Sequence, residues 1–285
     1  MTALLKWQVG EVRITRVQEF EAPGIGFLLP DATRENLAGI DWIGPYVDDR
    51  GEAVGSVHSL VLEVGDRTIV VDTCVGNDKA RLPFKMWHMR QGPFLRDLET
   101  AGFAVDRVDT VVCTHLHTDH VGWNTRLEGD RWVPTFANAR TLMTRKEYDH
   151  WSVTDVDQMQ VTFGDSIQPL FEAGLVDLVE SDHEVAEGIR FEPTPGHSPG
   201  HVAVRIVSRG ESAVITGDLV HHPAQLAAPH WKNLADSDPE MADRTRRAFL
   251  DRYADTPTLV IGTHFSGPTA GRLVRDGDAY RLDAA

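Results

Sequence analysis

The pattern of apolar and polar positions along the chain predicts several short buried strands. Val, Ile and other apolar residues dominate residues 108–114, 213–216 and 259–262, and they alternate with charged residues in 188–192. Short apolar runs of this kind, bounded by Gly or Pro and rich in β-branched residues, are typical of strands inside a sheet. The pattern therefore favours a layered α/β protein.

The same pattern predicts helices and hairpins between these strands. A long helix over residues 237–254 begins at the capping pair Ser237-Asp238, with Pro239 in its first turn. The other predicted elements are a hairpin of residues 57–64 and 67–72, helices over 94–101 and 146–151, a strand over 140–143, mostly strands over 177–216, and a closing hairpin of 272–275 and 279–282.

The length of 285 residues fits one large domain or two small ones. No linker, low-complexity tract or repeat divides the sequence, so we predict a single domain over residues 1–285. Segments 20–55 and 74–92 fit no regular element, although both hold aromatic and apolar residues. Such loops often line a pocket or form a homodimer contact, and the alternative is a small hydrophobic core beneath them.

Charge narrows the choice of partners. The net charge of −15 disfavours nucleic acid and anionic membranes, which are bound through Lys and Arg. A local basic patch around Arg244, Arg246 and Arg247 is the one exception, and the alternative there is the solvated face of a helix. Neither irregular segment holds an Arg/Lys cluster for an anion. We therefore expect a small-molecule substrate that is neutral and partly apolar.

The sequence also favours a cytoplasmic location. Residues 1–17 lack the continuous apolar region of a signal peptide, and no later run is long enough to cross a membrane. Cys74 and Cys113 are the only cysteines, and both flank strands that are predicted to be buried. We expect them to be reduced residues of the core, since a framework of disulfides needs more cysteines.

One short segment carries most of the candidate chemistry. His115-Leu116-His117-Thr118-Asp119-His120 places three imidazoles and one carboxylate in six residues, directly after the predicted strand 108–114. Neutral imidazole is the commonest metal ligand, and carboxylate is its usual oxygen companion. The alternative is a polar loop with coincidental histidines. The density of ligand groups favours a metal site.

Three further strand ends carry candidate ligands. His197 lies in the Pro- and Gly-rich loop at 193–201, Asp218 follows Gly217, and His264 follows the strand 259–262. Each is weak alone, because a Gly-Asp pair is usually a turn and a histidine at a strand end is usually structural. Sites in layered α/β proteins gather at the carboxyl ends of strands. Together the strand ends predict one site.

The number of these ligand groups indicates two metal ions. Five imidazoles and two carboxylates exceed what one tetrahedral site can use. Two divalent ions can acidify a bridging water, polarise an electrophile and hold a leaving oxygen. His and carboxylate ligands suit Zn²⁺ best, although Fe, Mn and Co remain alternatives.

The ordered set resembles the metallo-β-lactamase-fold hydrolase superfamily over roughly residues 56–265. The motif His115–His120 and the residues His197, Asp218 and His264 carry the resemblance, and Asp72 matches an aspartate that the superfamily places on an early strand. The resemblance implies a four-layer αββα sandwich, with two mixed β-sheets and flanking helices.

The resemblance also implies the role of each ligand. His115, His117 and His197 would hold the first metal ion, and Asp218 would bridge both ions. Asp72 would orient a ligand by a hydrogen bond. The second ion would be held by Asp119, His120 and His264.

A further histidine stands where related lactonases place a catalytic tyrosine. Acyl-homoserine-lactone hydrolases of the superfamily commonly carry that tyrosine three residues after the bridging aspartate, and His221 occupies this position here. Its imidazole could donate to an oxyanion or protonate a leaving group, and the alternative is a surface histidine. His221 and Asp119 are therefore the candidate catalytic residues. The segment 217–239 also resembles the methyl-parathion-hydrolase-like branch.

These observations predict a dinuclear metal-dependent hydrolase that uses a metal-bridging hydroxide on a small neutral lactone, ester or phosphotriester. One alternative on the same fold is a mononuclear non-haem iron dioxygenase of the persulfide dioxygenase type. Another is a thioesterase, although the helical region that glyoxalase-II-type enzymes append has little room after His264. A binding module without activity is disfavoured by the complete ligand set.

Overall fold

Two mixed sheets organise the part of the chain that the computed structural model describes, residues 4–284. These residues form two units. Unit 1 comprises residues 4–19 and 57–180, and unit 2 comprises residues 20–56 and 181–284. A single domain over residues 1–285 stays a prediction.

Unit 1 is built on a sheet of seven strands and a separate hairpin within the described residues. The sheet strands are β1 (Lys6–Val9), β2 (Val12–Pro23), β3 (Val54–Val64), β4 (Arg67–Val71), β5 (Thr110–Val112), β8 (Arg140–Thr144) and β9 (Val176–Val179), and the hairpin strands are β6 (Thr125–Glu128) and β7 (Arg131–Pro134). The order in the sheet is β1-β2-β3-β4-β5-β8-β9. Strands β4, β5, β8 and β9 run parallel, so their carboxyl ends share one edge.

Unit 2 holds the second seven-stranded sheet of the described chain. Its strands are β10 (Glu184–Ala186), β11 (Ile189–Pro193), β12 (Val202–Ser208), β13 (Glu211–Ile215), β14 (Leu259–Ile261), β15 (Ala270–Asp276) and β16 (Ala279–Ala284), and they lie in this order. Only β13 and β14 pair in parallel, and Ile215 lies opposite Ile261. Because β11 is antiparallel to β12, and β12 to β13, the carboxyl ends of β11, β13 and β14 also share one edge.

Helices connect the strands in both units. Helix α8 is the longest of them, and its N-cap residue Asp238 accepts a hydrogen bond from the backbone N–H of Met241. No helix within residues 4–284 combines the length and the apolar character that crossing a membrane requires. The helices are α1 (Arg34–Ala38), α2 (Phe94–Thr100), α3 (Thr118–Val121), α4 (Arg145–Trp151), α5 (Asp157–Thr162), α6 (Gln168–Glu172), α7 (Ala224–Ala227) and α8 (Pro239–Tyr253).

The two segments that were expected to be irregular differ in the structure. Residues 20–55 contain α1 and two short 3₁₀ helices, and Leu29, Leu37 and Tyr46 are buried in the hydrophobic core of unit 2. This part of the segment thus forms a core, as the alternative interpretation held. Residues 74–92 contain no helix or strand, as expected. A pocket or dimer role for either segment stays a prediction.

Most of the predicted elements are present, with ends shifted by at most three residues. The hairpin of β3 and β4, helices α2, α4 and α8, and the closing hairpin of β15 and β16 agree with the apolar pattern. Strands β1 and β2 and the helices α5 and α6 were not predicted. In β2 the spacing of the apolar residues changes from two between Val12 and Ile14 to three between Ile14 and Val17, and half of the residues in β1 are exposed, so the period-two signal of both strands is weak.

Two glycines allow a close backbone approach in unit 1. A Cβ atom added at Gly122 would lie 1.8 Å from the carbonyl oxygen of Val75, and one added at Gly76 would lie 2.9 Å from the backbone of Gly122. The Gly122 N–H donates to the carbonyl of Cys74 at 2.7 Å. The segment after β4 therefore lies directly against the segment that follows the histidine motif.

We expect Gly122→Ala to destabilise the protein by about 3 kcal/mol, because its methyl group would displace backbone atoms. The matched control is Gly164→Ala, where a Cβ meets no atom within 4 Å. This control should stay within about 1 kcal/mol of the original protein. Urea unfolding of metal-free protein measures both, and equal stability of the two variants would contradict the prediction.

Candidate metal centre

The histidine motif of unit 1 follows β5 and enters the short helix α3. His115 and His120 are fully buried, whereas His117 and Asp119 are partly exposed. The ring centroids of His115 and His117 lie 4.7 Å apart, and those of His115 and His120 lie 4.0 Å apart. The motif thus brings its three imidazoles into one cluster at the carboxyl end of β5.

Asp72 fixes the direction of the His120 ring. The carboxylate of Asp72 lies at the carboxyl end of β4 and accepts hydrogen bonds from the backbone N–H and the hydroxyl of Thr114, both at 2.8 Å. Its Oδ2 atom is 2.9 Å from Nδ1 of His120. A carboxylate only accepts, so the neutral ring of His120 carries its hydrogen on Nδ1 and keeps a lone pair on Nε2. This is the orienting role that the family resemblance implied for Asp72.

A second buried acid supports the middle of the motif. Glu147 in α4 accepts a hydrogen bond from the backbone N–H of Leu116 at 3.2 Å and from Nε1 of Trp151 at 2.8 Å. The ring of Trp151 in turn lies 5.1 Å, centroid to centroid, from the ring of His117. Helix α4 therefore braces the chain between His115 and His117.

In unit 2, the buried carboxylate of Asp218 is surrounded by imidazoles. Nε2 of His264 lies 3.0 Å from Oδ1 of Asp218. Nε2 of His197 lies 3.3 Å and Nε2 of His221 lies 3.0 Å from Oδ2. His201, which was expected to be structural, accepts a hydrogen bond from the Asp218 backbone N–H at 2.8 Å. Both carboxylate oxygens thus face histidine nitrogens.

The Nδ1 atoms of two of these rings, His197 and His264, also have hydrogen-bond partners. Nδ1 of His197 lies 2.9 Å from Oδ1 of Asp236, and Nδ1 of His264 lies 2.8 Å from the carbonyl oxygen of Ser56. Burial raises the pKa of Asp236, although the nearby His221 and Arg246 oppose this rise. The sequence motifs indicate no role for Asp236 or Ser56.

These contacts test whether the residues fit a cation. Because Asp236 and Ser56 accept from Nδ1, the neutral rings of His197 and His264 turn an Nε2 lone pair toward the oxygens of Asp218. Two acceptors face each other stably only with a proton or a cation between them. Ligand atoms about 2.0–2.1 Å from one tetrahedral zinc ion lie about 3.3 Å apart, close to the observed separations. The donor set therefore fits a divalent ion.

His221 is fully buried, so it is not a surface histidine. Its backbone N–H donates to Oε1 of Gln225 at 2.8 Å, and the side-chain amide nitrogen of Asn233 lies 2.8 Å from its Nδ1. The neighbouring His222 has a different role. Burial lowers its pKa to about 4, and its Nε2 lies 2.9 Å from the carbonyl oxygen of Tyr46. Of this pair, only His221 contacts Asp218.

Each residue in the predicted ligand set offers an imidazole nitrogen or a carboxylate oxygen. Unit 1 brings His115, His117 and His120 together, and unit 2 brings His197 and His264 together around Asp218. The assignment of these residues to two particular ions stays a prediction.

The family of the chain follows from comparison with known proteins. The family model described as the metallo-beta-lactamase superfamily matches residues 53–264. The match covers well over half of the chain, which therefore belongs to the metallo-β-lactamase superfamily.

Individual relatives agree with this family. The chain is 28% identical over 237 residues to metallo-beta-lactamase domain-containing protein 1 of Xenopus laevis, covering 81% of this chain and 78% of that protein. It is 28% identical over 118 residues to an N-acyl homoserine lactonase of Bacillus thuringiensis, covering 41% of this chain and 40% of that protein. The solved structure of AidC, described as a dizinc quorum-quenching lactonase, matches with a TM-score of 0.81 and 19% identity over 99% of this chain and 97% of AidC.

These matches confirm the fold that the sequence predicted, with two mixed sheets, flanking helices and the metallo-β-lactamase fold. At 19% identity the likeness to AidC shows the fold alone. Membership of the superfamily supports an enzyme that is a metal-dependent hydrolase.

We expect Asp236→Asn to weaken metal binding by about 10- to 100-fold, because His197 loses the carboxylate that orients it and raises its basicity. The measurement is competition for Zn²⁺ against a chromogenic chelator. Glu240→Gln is the control, since that side chain is 90% exposed on α8. An unchanged affinity in Asp236→Asn would remove Asp236 from the support of the site.

Proposed function

We propose that the protein is a dinuclear metal-dependent hydrolase of a small neutral lactone, ester or phosphotriester. The observation that carries the proposal is the environment of Asp218, whose two carboxylate oxygens face nitrogens of different histidines, His264 on one side and His197 on the other. A carboxylate in such a position can bind one cation through each oxygen, as a bridging ligand does.

The proposed ligands follow the family assignment. His115, His117 and His197 would hold one ion, and Asp218 would contact both. The other ion would be held by Asp119, His120 and His264. Bound together, two divalent ions would acidify a water molecule and polarise the carbonyl or phosphoryl group of a substrate. Zn²⁺ suits this set of nitrogen and oxygen donors best.

The side chains of the protein would orient the reactants and move protons. His221 would donate a hydrogen bond to the substrate oxygen that gains charge, or protonate the leaving oxygen. Its place is fixed by Gln225 and Asn233, so little reorganisation would be needed during the reaction. Asp119 is partly exposed, and its Oδ1 would accept the proton of the attacking water.

Three buried cationic side chains bind groups of the protein itself, which supports a neutral substrate. Lys79 and Arg81, in the irregular segment 74–92, are both fully buried and bind the carboxylate of Asp165. Arg246 in α8 is buried and donates to the carbonyl oxygens of Leu219 and Pro229. These cations already have partners, so they would not bind an anionic group of a substrate.

A cytoplasmic location and a homodimer contact are further parts of the proposal. Cys74 and Cys113 are buried thiols, which suits a reducing compartment such as the cytoplasm. The loops that contain residues 20–55 and 74–92 would supply the homodimer contact, if the protein is a dimer.

The proposal predicts turnover of at least one class in a panel of lactones, aryl esters, phosphotriesters and β-lactams by the metal-loaded protein. Asp218→Ala should lose most activity and bind metal weakly, because the two dications would then repel each other without a shared carboxylate. Asp243→Ala, which removes an ion pair with Arg247 on α8, is the matched control. Metal analysis accompanies the assay. Two zinc ions per chain support the hydrolase, and a single iron would instead favour the dioxygenase.

His221→Ala should leave metal content unchanged and lower turnover by about ten- to a thousandfold, because a hydrogen-bond donor or acid is lost. His221→Tyr should retain part of the activity on lactones, since a phenol also donates. Loss of metal from His221→Ala would make the residue a ligand and contradict its proposed role. Unchanged turnover would exclude His221 from catalysis.

A further inference from the structure

The segment after β4 in unit 1 has an unusual backbone. Asp72 and Cys74 adopt positive φ angles of 56° and 55°, and Gly76 follows with 82°. Side chains other than glycine adopt this left-handed region at a cost of about 1–2 kcal/mol each. Such a conformation persists only where the surrounding structure holds it in place.

Residues 72–76, here called the template, hold the end of the histidine motif and the chain that follows it through hydrogen bonds. Thr73 N–H donates to the carbonyl of His120 at 2.7 Å, and Trp123 N–H donates to the carbonyl of Thr73 at 2.8 Å. The hydroxyl of Thr73 also donates to Oδ1 of Asn124 at 2.9 Å. Asp72, at the start of the segment, binds the ring of His120. The backbone and the ring of His120 therefore both depend on the shape of residues 72–76.

A single carboxylate fixes the far end of this template. Oε2 of Glu19 in β2 accepts from the backbone N–H of Val75 at 2.9 Å. Oε1 accepts from the backbone N–H of Gly76 at 3.1 Å and from Nε1 of Trp123 at 2.8 Å. Glu19 thereby joins the template to the segment laid against it.

Burial makes this arrangement costly unless all of its contacts are made. Glu19 is only 8% exposed, and the loss of water raises the pKa of its carboxyl group, against which the N–H groups of Val75 and Trp123 act. A buried acid is stable when several donors compensate it. Trp123 is held from its other side by Phe94, whose ring stacks on it at 5.8 Å. The indole N–H therefore keeps its direction toward Glu19.

We infer that Glu19 is a positioning residue for the metal site, acting through residues 72–76 on the backbone and ring of His120. This inference rests on the proposed function for the metal itself. Neither the sequence motif nor its family resemblance assigns Glu19 a role.

The test uses Glu19→Gln, which keeps the shape of the side chain but replaces one accepting oxygen by an NH₂ group, which only donates. We expect backbone amides of residues 72–76 and 120–124 to exchange hydrogen at least tenfold faster in the metal-free protein. We also expect one of two Co²⁺ ions to bind about 10- to 100-fold more weakly, with a changed visible absorption spectrum. Exchange is measured by mass spectrometry, and binding by competition with a chelator.

Two controls separate positioning from general stability. Asp165→Asn alters another buried carboxylate of unit 1, which binds Arg81 and does not contact residues 72–76. It should lower stability without changing the cobalt spectrum. Glu63→Gln, in a partly exposed ion pair with Arg13, should change neither. If Glu19→Gln lowers stability but leaves exchange, affinity and spectrum as in the original protein, the inference is overturned.

A milder variant covers the case in which Glu19→Gln does not fold. Trp123→Phe removes the indole donor and part of the ring, and keeps an aromatic ring against Phe94. It should shift exchange and cobalt affinity in the same direction, by about two- to fivefold, and no shift would overturn the inference. If the original protein binds no metal, the proposed function fails, while the exchange measurement still decides whether Glu19 holds the two segments together.

Discussion

A buried imidazole presents its lone pair in a fixed direction when its other nitrogen donates to an acceptor inside the fold. The protein meets this constraint separately for three rings, with Asp72 behind His120, Asp236 behind His197 and the carbonyl of Ser56 behind His264. Without such an acceptor, the ring could rotate or place its hydrogen on the wrong nitrogen. The outer acceptors therefore determine which atoms can act as ligands, and the rest of the site depends on them.

The candidate ligands and their acceptors lie close together in each unit because parallel strands end at a common edge of the sheet. In unit 1 the register sets Val71 beside Val112, so the chain turns out of β4 at Asp72 close to where it turns out of β5. In unit 2, Ile215 lies opposite Ile261. Asp218 and His264 each follow their strand by three residues, and thus leave the sheet together. A shift of one residue in either register would break this match.

The sequence predicted the parts of the site that are local, and missed those that depend on tertiary contacts. The His115–His120 motif and the apolar runs before it can be read directly, because their signal lies within a dozen residues. Asp236 is 39 residues from His197, and Ser56 is 208 residues from His264 and contributes only a carbonyl, which any residue has. The role of Glu19 has no sequence signal either, since a single Glu within a strand is usually solvent-exposed. Positive φ at Asp72 has no reliable sequence signal either.

The site also concentrates features that oppose stability. Burial raises the pKa of Asp236, and the nearby carboxylate of Asp218 adds to this rise. In unit 1, the template of residues 72–76 contains left-handed residues and binds the buried carboxylate of Glu19. Hydrogen bonds offset part of these costs, and the same hydrogen bonds fix the directions of the side chains. The residues of the histidine motif also differ in solvent exposure, since His115 and His120 are buried while His117 and Asp119 are partly exposed. In the proposed assignment, each ion would therefore be held by one buried and one partly exposed residue of the motif, His115 with His117 and His120 with Asp119.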